Sequence, residues 1–348
     1  MEPAILALLS FLVVFLSAPL FKRLALKFNI LDVPNERKMH KSSTPLLGGM
    51  AIYAGVISAM LFTSVTLRPI YGVLIGGTII FIVSLIDDVR GLSSQIRLIG
   101  QLIAAMMIIG FGEHISFLPN NLWGYSGEVI LTLIWIVGIT NALNFLDGID
   151  GLATGFTAIS ALGFSVISYL TNQPELALFA LILMAGCLGF LPYNFKRAKI
   201  FLGDAGSTFI GFTLASIAIL GDWASDSVIR LTIPILILGV PIFDMIFTTI
   251  MRIKEKKIST PLEWLNYTGK DHFHHRLVDL GLRPMSAVFF IYFVTVALGI
   301  NAIIISYAKE TFAGILAILQ ASIIFGAIAV LMVVGKRRRS GWNIPDKK

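Results

Sequence analysis

Residues 128–155 read EVILTLIWIVGITNALNFLDGIDGLATG, an apolar run that passes into a row of polar side chains. The polar residues recur every three positions, which places them along one face of a helix. A carboxylate at the edge of the hydrocarbon is unfavourable unless it meets water, a partner or a metal ion. The stretch therefore predicts a membrane-spanning helix that ends in a polar site. The row consists of Asn141, Asn144, Asp147 and Asp150.

The whole chain has the composition of a helical membrane protein rather than a soluble one. Of its 348 residues, 56% are hydrophobic and 14% are charged, and the mean hydropathy is +0.86. A spanning helix needs about 20 apolar residues. We therefore expect an all-α, polytopic integral membrane bundle of eleven transmembrane helices in one domain, residues 1–348. The expected spans are 3–21, 46–64, 70–86, 96–111, 128–143, 151–170, 175–192, 206–221, 228–251, 286–307 and 312–334.

The basic residues decide the expected orientation. With eleven spans, 24 of the 27 Lys and Arg residues lie on one side, and only Arg68, Arg230 and Lys309 lie on the other. The positive-inside rule then places the N-terminus outside and the C-terminus in the cytoplasm. The net charge of +7 does not indicate a nucleic-acid partner, because the basic residues flank spans and face anionic lipid.

Paired acids end one of the apolar runs on the cytoplasmic side. A salt bridge to Arg90 would explain one of Asp87 and Asp88 but not both. Two acids at one site either share a proton or hold a divalent cation. The loop at 31–49 is less decisive. It is either an ordinary basic loop, or it brings Lys41, Thr44 and a glycine pair to a phosphate.

A second acidic motif opens a later run in the segment PYNFKRAKIFLGDAGST, residues 192–208. Asp and Ser are standard N-cap residues, so capping of a helix by Asp204 or Ser207 stays open as the alternative to a functional role. Upstream, Asn194 and Phe201 supply an amide and an aromatic face, as a nucleobase pocket requires.

Histidines cluster in the last polar loop as HFHHRL, residues 272–277. The arrangement indicates either a zinc site or an anion clamp. Zinc takes a compact set of His or Cys ligands. Outside this loop, the cytoplasmic side offers only one further candidate ligand of this kind, His40. The acids elsewhere favour oxygen ligation of Mg²⁺ or Mn²⁺, which leaves this loop for phosphate oxygens. The clamp residues are His272, His274, His275 and Arg276.

These clusters favour an enzyme that joins two phosphate-bearing substrates, one soluble and one carried by lipid. A secondary transporter is the alternative from another class, because intramembrane acids also serve as ion sites. Transporters place such acids near the bilayer middle within repeated halves. Here the acids lie at one border, and the sequence shows no repeat.

The ordered motifs STPLLGG, DD, NALNFLDGIDGLATG, PYNFKRAKIFLGDAGS and HFHHRL resemble those of the polyprenyl-phosphate N-acetylhexosamine-1-phosphate transferases, over residues 31–277. The similarity is strongest to the WecA/TagO-like branch. It implies transfer of GlcNAc-1-phosphate from UDP-GlcNAc to undecaprenyl phosphate in the bacterial inner membrane, with the site facing the cytoplasm. The relatives that act on UDP-MurNAc-pentapeptide carry three successive histidines and then an acid. Here Phe273 interrupts the histidines and Arg276 follows.

The resemblance also implies roles for individual residues. Asp87 would act as base for the lipid phosphate with Asp88 in support. The metal ligands would be Asp204, Asn144 and Asp147, with Asp147 also catalytic beside the four clamp residues. Substrate contacts would come from Lys41, Thr44, Asn141, Asp150, Asn194 and Phe201. The active-site loops would be 22–45, 87–95, 144–151, 193–206 and 252–285, and a homodimer is left open.

Overall fold

The computed structural model describes residues 2–33, 43–64, 67–260, 263, 264, 267, 269 and 271–341. These residues form a helical bundle with one short ribbon of two strands, which confirms the all-α class. The strands are β1 (Leu31–Asp32) and β2 (Thr44–Pro45). The helices are α1 (Pro3–Lys27), α2 (Gly48–Leu61), α3 (Arg68–Arg90), α4 (Ser94–Gly110), α5 (Leu122–Leu146), α6 (Leu152–Leu170), α7 (Pro174–Asn194), α8 (Gly203–Leu220), α9 (Ser227–Ile237), α10 (Gly239–Lys254), α11 (Phe273–Asp279), α12 (Pro284–Ser306) and α13 (Thr311–Gly341).

Every predicted span coincides with an apolar helix or, for 228–251, with a pair of helices. Among the described residues, eight helices are long and apolar enough to cross a membrane. Helices α9 and α10 would form a ninth span that is bent by 78°. Helices α2 and α4 have only 14 and 17 residues, which is shorter than a hydrocarbon core of about 30 Å requires. The polytopic class is confirmed, and eleven crossings with this orientation stay a prediction.

Helix α8 lies at the centre of the bundle and positions the polar site. Its residues from Ala205 to Ala218 are buried on every face, so it packs against neighbours all round. It runs antiparallel to α5, since Asn144 contacts Asp204 at one end and Trp135 contacts Ala215 further along. The end of α5 therefore meets the beginning of α8.

The ribbon fixes the segment that leads into α8. Phe201 donates its N–H to Pro45 in β2 at 2.8 Å, and the N–H of Gly48 returns a bond to the carbonyl of Phe201 at 2.9 Å. The N–H of Gly49 donates to Leu202 at 2.8 Å. A side chain at Gly49 would overlap the backbone of Gly206. The glycine pair thus brings α2 against α8, and its amides are used within the chain rather than for a phosphate.

Candidate active site

The first turn of α8 is capped by a carboxylate from α3. Asp88 accepts the N–H groups of Asp204 and Ala205 at 2.8 and 3.0 Å. The Ser207 hydroxyl donates to the carbonyl of Gly203 at 2.9 Å. Because Asp88 satisfies these end groups, the N-cap interpretation of Asp204 and Ser207 is wrong. The carboxylate of Asp204 is therefore available for another task.

A small polar network surrounds that carboxylate. Asn144 donates from Nδ2 to Asp204 Oδ1 and to the Ser207 hydroxyl, both at 2.9 Å. Arg97 of α4 lies with Nη1 3.2 Å from Asp87 Oδ2 and 3.7 Å from Asp204 Oδ2. Arg97 thus joins Asp87 and Asp204, where the sequence suggested Arg90 as the partner of one acid of the Asp87–Asp88 pair. In the sequence, Arg97 looks like every other basic residue beside a span. Nothing in the sequence therefore distinguishes it as a site residue.

Asp147 directly follows α5 and is half-buried beside this network. Within the described part of the chain, its carboxylate accepts no hydrogen bond. Burial raises the pKa of Asp147 well above its usual range, and the nearby carboxylates of Asp204, Asp88 and Asp150 raise it further. A bound cation would relieve this repulsion.

The donor chemistry fits Mg²⁺ whose coordination is completed by substrate. Asn144 contacts Asp204 at 2.9 Å, and the carboxylates of Asp204 and Asp147 are near enough to repel each other. No three His, Cys, Asp or Glu side chains among the described residues lie close enough together to enclose an ion. Mg²⁺ commonly takes one or two carboxylates and fills its remaining positions with water and substrate phosphates. The arrangement suits such an open site.

The row of polar residues that drew attention to α5 does not stay on one helical face, because the helix ends at Leu146. Asp150 lies in the following turn and accepts the N–H of Ala198 at 2.8 Å. Asn141 pairs with Gln101 of α4 through bonds of 2.7 and 3.1 Å. Asn141 therefore holds two helices together, and its role in substrate binding stays a prediction.

The expected uridine pocket is tied largely into the chain itself. Asn194 is buried, accepts from Gly151 N and Thr154 Oγ1 at 3.2 and 3.0 Å, and donates to the Ile200 carbonyl at 3.2 Å. Its amide thus secures the start of α6, which weakens its assignment as a nucleobase contact. Phe201 is half-buried after the 195–200 loop, and Thr44 is buried in β2. Lys41 lies outside the described residues.

The histidine loop is anchored by charged side chains that sequence reasoning missed. His272 Nδ1 lies 3.0 Å from Asp244 Oδ2, and its Nε2 lies 3.2 Å from Arg252 Nη2. Because an arginine only donates, Nε2 accepts and Nδ1 carries the proton. Arg252 also grips Asp271 through two bonds of 2.9 and 2.7 Å. Both nitrogens of His272 are thus used inside the protein, so His272 does not present a free nitrogen to an anion.

The sequence around Asp244 contains a signal for a functional position. It is the lone acid in the apolar run 228–251, and an ionisable residue within such a run marks a functional position by default. Besides His272, it accepts the N–H of Phe273 at 2.6 Å and the hydroxyl of Thr248 at 3.1 Å. Burial by itself would raise the pKa of Asp271, but the paired Arg252 guanidinium outweighs burial and lowers it.

His274 brings the histidine loop into contact with the turn that follows α5, and Arg276 lies two positions further along the loop. His274 is buried against Gly148, where a side chain would overlap Nε2. Neither of its ring nitrogens has a hydrogen-bond partner among the described residues, and burial lowers the pKa of His274 to about 3. Arg276 Nε donates to the carbonyl of Asp271 at 2.6 Å, while its guanidinium lies 5.2 Å from the ring centre of Phe247. Its two terminal nitrogens make no hydrogen bond within the described ranges.

The acids and the histidine loop therefore meet at the turn 147–151. A model of glycosyl transferase family 4 matches residues 70–222, which include all the acids of this cluster. A Bacillus subtilis protein named probable undecaprenyl-phosphate N-acetylglucosaminyl 1-phosphate transferase is 37% identical over 308 residues, covering 86% of this chain and 84% of that protein. The chain belongs to the polyprenyl-phosphate N-acetylhexosamine-1-phosphate transferases. The resemblance drawn from the motifs is confirmed.

Two further relatives show how much of the chain is shared with two different branches of the family. A Mycolicibacterium smegmatis protein named decaprenyl-phosphate N-acetylglucosaminephosphotransferase is 34% identical over 328 residues, with 84% of this chain and 79% of that protein covered. A Staphylococcus epidermidis phospho-N-acetylmuramoyl-pentapeptide-transferase is 32% identical over 241 residues, with 62% and 75% covered. The match to this pentapeptide-sugar relative is thus shorter. The GlcNAc-type members of the family share more of the chain.

Proposed function

We propose that the chain transfers GlcNAc-1-phosphate from UDP-GlcNAc to undecaprenyl phosphate at the cytoplasmic face of a bacterial inner membrane, giving undecaprenyl-diphospho-GlcNAc and UMP. The observation that carries the proposal is the junction at the turn 147–151, where Gly148 brings His274 beside the acids around Asp147. The names of the most similar relatives support the sugar and the lipid. On this proposal, a cation site and an anion clamp would lie on opposite sides of one reacting diphosphate.

Asp147 and Asp204, with Asn144, would hold Mg²⁺ against the diphosphate. When bound, Mg²⁺ offsets the repulsion between the two anionic substrates and the charge on the leaving phosphate. The two terminal nitrogens of Arg276 form a planar pair of donors that matches phosphate oxygens. His274 stays neutral at physiological pH because of its depressed pKa. It can therefore donate one hydrogen bond without adding charge.

Direct attack by the lipid phosphate fits the geometry around Asp87. An oxygen of the lipid phosphate attacks the phosphorus that carries the sugar, a new P–O bond forms, and the P–O bond to UMP breaks. A phosphate monoester is mostly ionised at neutral pH, so it needs little help from a base. Asp87 is paired with Arg97 at 3.2 Å and accepts the N–H of Leu92, which suits a fixed acceptor more than a strong base. No phospho-enzyme is required.

Release of UMP by the purified protein tests the proposal. We expect release from UDP-GlcNAc only when undecaprenyl phosphate and Mg²⁺ are both present, and at a rate well above that with UDP-MurNAc-pentapeptide. A preference for the pentapeptide sugar would assign the chain to the other branch. No release from either sugar, by protein whose folding is verified by thermal unfolding, would contradict transferase activity.

Substitution of Arg276 tests the anion clamp. Arg276→Ala removes a charge-assisted contact worth about 1.5–3 kcal/mol, and we expect transfer efficiency to fall about 10- to 150-fold. Arg276→Lys should recover part of the loss, because an ammonium keeps the charge but not the flat pair of donors. UMP lacks the sugar-linked phosphate, so its affinity, measured by calorimetry, should be unchanged. Equal losses of transfer and of UMP affinity would show that Arg276 only supports the loop.

A further inference from the structure

A cavity lies at the opposite end of α5 and α8 from the acids. Its volume is about 530 Å³, and α5, α8, α9 and the loop 113–117 form its walls. Trp135 of α5 and Ala218 of α8 both line it, whereas Asn144 and Asp204 lie toward the other ends of the same helices. No residue of the proposed reaction borders this space.

Along α5 the cavity reaches as far as Trp135. Trp135 lies 13 positions beyond Leu122, the first residue of α5, which corresponds to about 20 Å of helix. Half of a hydrocarbon core is about 15 Å. The Trp135 indole donates to the carbonyl of Ala215 at 3.1 Å and so fixes its ring in the wall. Ile134 and Ile235 are exposed beside it, at 62% and 36%, so the cavity opens sideways towards lipid.

The mouth of the cavity is acidic on an otherwise basic protein. Arg230 pairs with Asp222 at 3.0 Å, so its charge is balanced locally. His114 lies 3.4 Å from Glu128, which also accepts two backbone amides. Glu113 accepts no hydrogen bond from a described residue, and burial raises its pKa. Glu113 and Asp222 thus line the mouth beside a single arginine, while Glu128 contacts His114, an arrangement that repels an anionic headgroup and attracts an ammonium.

We propose that this cavity binds one membrane lipid whose headgroup carries a primary ammonium. Its acyl chain would lie between α5, α8 and α9 as far as Trp135. The ammonium would meet Glu113 at the mouth. The proposal is independent of the transfer reaction, because none of these residues contacts the acids or the histidine loop.

Native mass spectrometry of the delipidated full-length protein tests the proposal. It is titrated separately with phosphatidylethanolamine and phosphatidylglycerol of identical acyl chains. We expect one phosphatidylethanolamine to be retained about tenfold more tightly, a difference of about 1.4 kcal/mol. Glu113→Gln should abolish this preference, and Ile134→Trp should weaken both lipids by filling the cavity. Equal retention of the two lipids by the wild type would overturn the proposal.

Two matched variants control for charge and for bulk elsewhere on the surface. Glu310→Gln removes an exposed acid beside α13, and Ile130→Trp enlarges a side chain of α5 that is 56% exposed and does not line the cavity. Both should keep the tenfold preference. Its loss in either control, or its survival in Glu113→Gln, would show that the lipid binds the general surface rather than this cavity. Thermal unfolding verifies that each variant is folded.

Discussion

Asp204→Asn should lower the rate of UMP release about 100- to 1000-fold while leaving the protein folded. The substitution removes a negative oxygen from the proposed Mg²⁺ site, and losing one preorganised electrostatic contact typically has an effect of this size. Folding should survive because Asp88, not Asp204, caps α8 at 2.8 and 3.0 Å. The new amide oxygen can still accept the hydrogen bond from Asn144.

The measurement is UMP release across a series of Mg²⁺ concentrations, with thermal unfolding of the same preparation. Glu310→Gln, an exposed acid far along the chain from the site, serves as the control and should behave as wild type. A wild-type rate for Asp204→Asn at ordinary Mg²⁺ would remove Asp204 from the metal site. A large loss of thermal stability would mean that the charge matters for the fold.

Asp244→Asn should reduce transfer about 10- to 100-fold although the residue touches no substrate. The asparagine NH₂ would face either the N–H of Phe273 or, with the amide flipped, the Nδ1–H of His272. In the second orientation the ring would need the other tautomer. That tautomer places an N–H against Arg252 Nη2, which is itself a donor at 3.2 Å. Neither tautomer satisfies both neighbours, so we expect the loop to shift away from Gly148. Losses of this size are typical when a supporting hydrogen bond of a site is removed.

Thr248→Val provides the matched control for Asp244. It removes one of the hydrogen bonds to the same carboxylate, at 3.1 Å, without changing charge, and it should reduce stability by about 1 kcal/mol with little effect on transfer. UMP affinity should persist in Asp244→Asn, because the distortion concerns the loop. Full transfer activity in Asp244→Asn would show that the position of His272 is irrelevant to the reaction.

Local pattern was sufficient for the helices and for the general location of the site. Apolar runs predict spans because the bilayer requires them, and the acids and histidines do gather where the runs end. The sequence could not show which polar side chains face inward. Asn141 and His272 carry the same chemistry as the proposed site residues, yet Gln101 and Asp244 engage them inside the bundle.

Contacts between distant parts of the chain were the least predictable. Asp88 caps a helix 116 positions later, and no periodicity within either segment announces that pairing. Asp244 was overlooked for a related reason, since its meaning depends on a histidine 28 positions away. The available signal for Asp244 was that it is a single acid within an apolar run. This signal identifies the residue that holds the histidine loop in place, but it does not identify the loop.

The borrowed cap of α8 has a consequence for how the protein is made. The N–H groups of the first turn of α8 donate to a carboxylate from α3. When α8 enters the bilayer alone, these N–H groups therefore lack their acceptor. During synthesis α3 emerges before α8. Until α8 follows, Asp88 cannot accept the N–H groups of Asp204 and Ala205. The end of α8 that carries Asp204 is therefore completed only when these two helices dock, and newly inserted protein should gain activity later than it gains helical content.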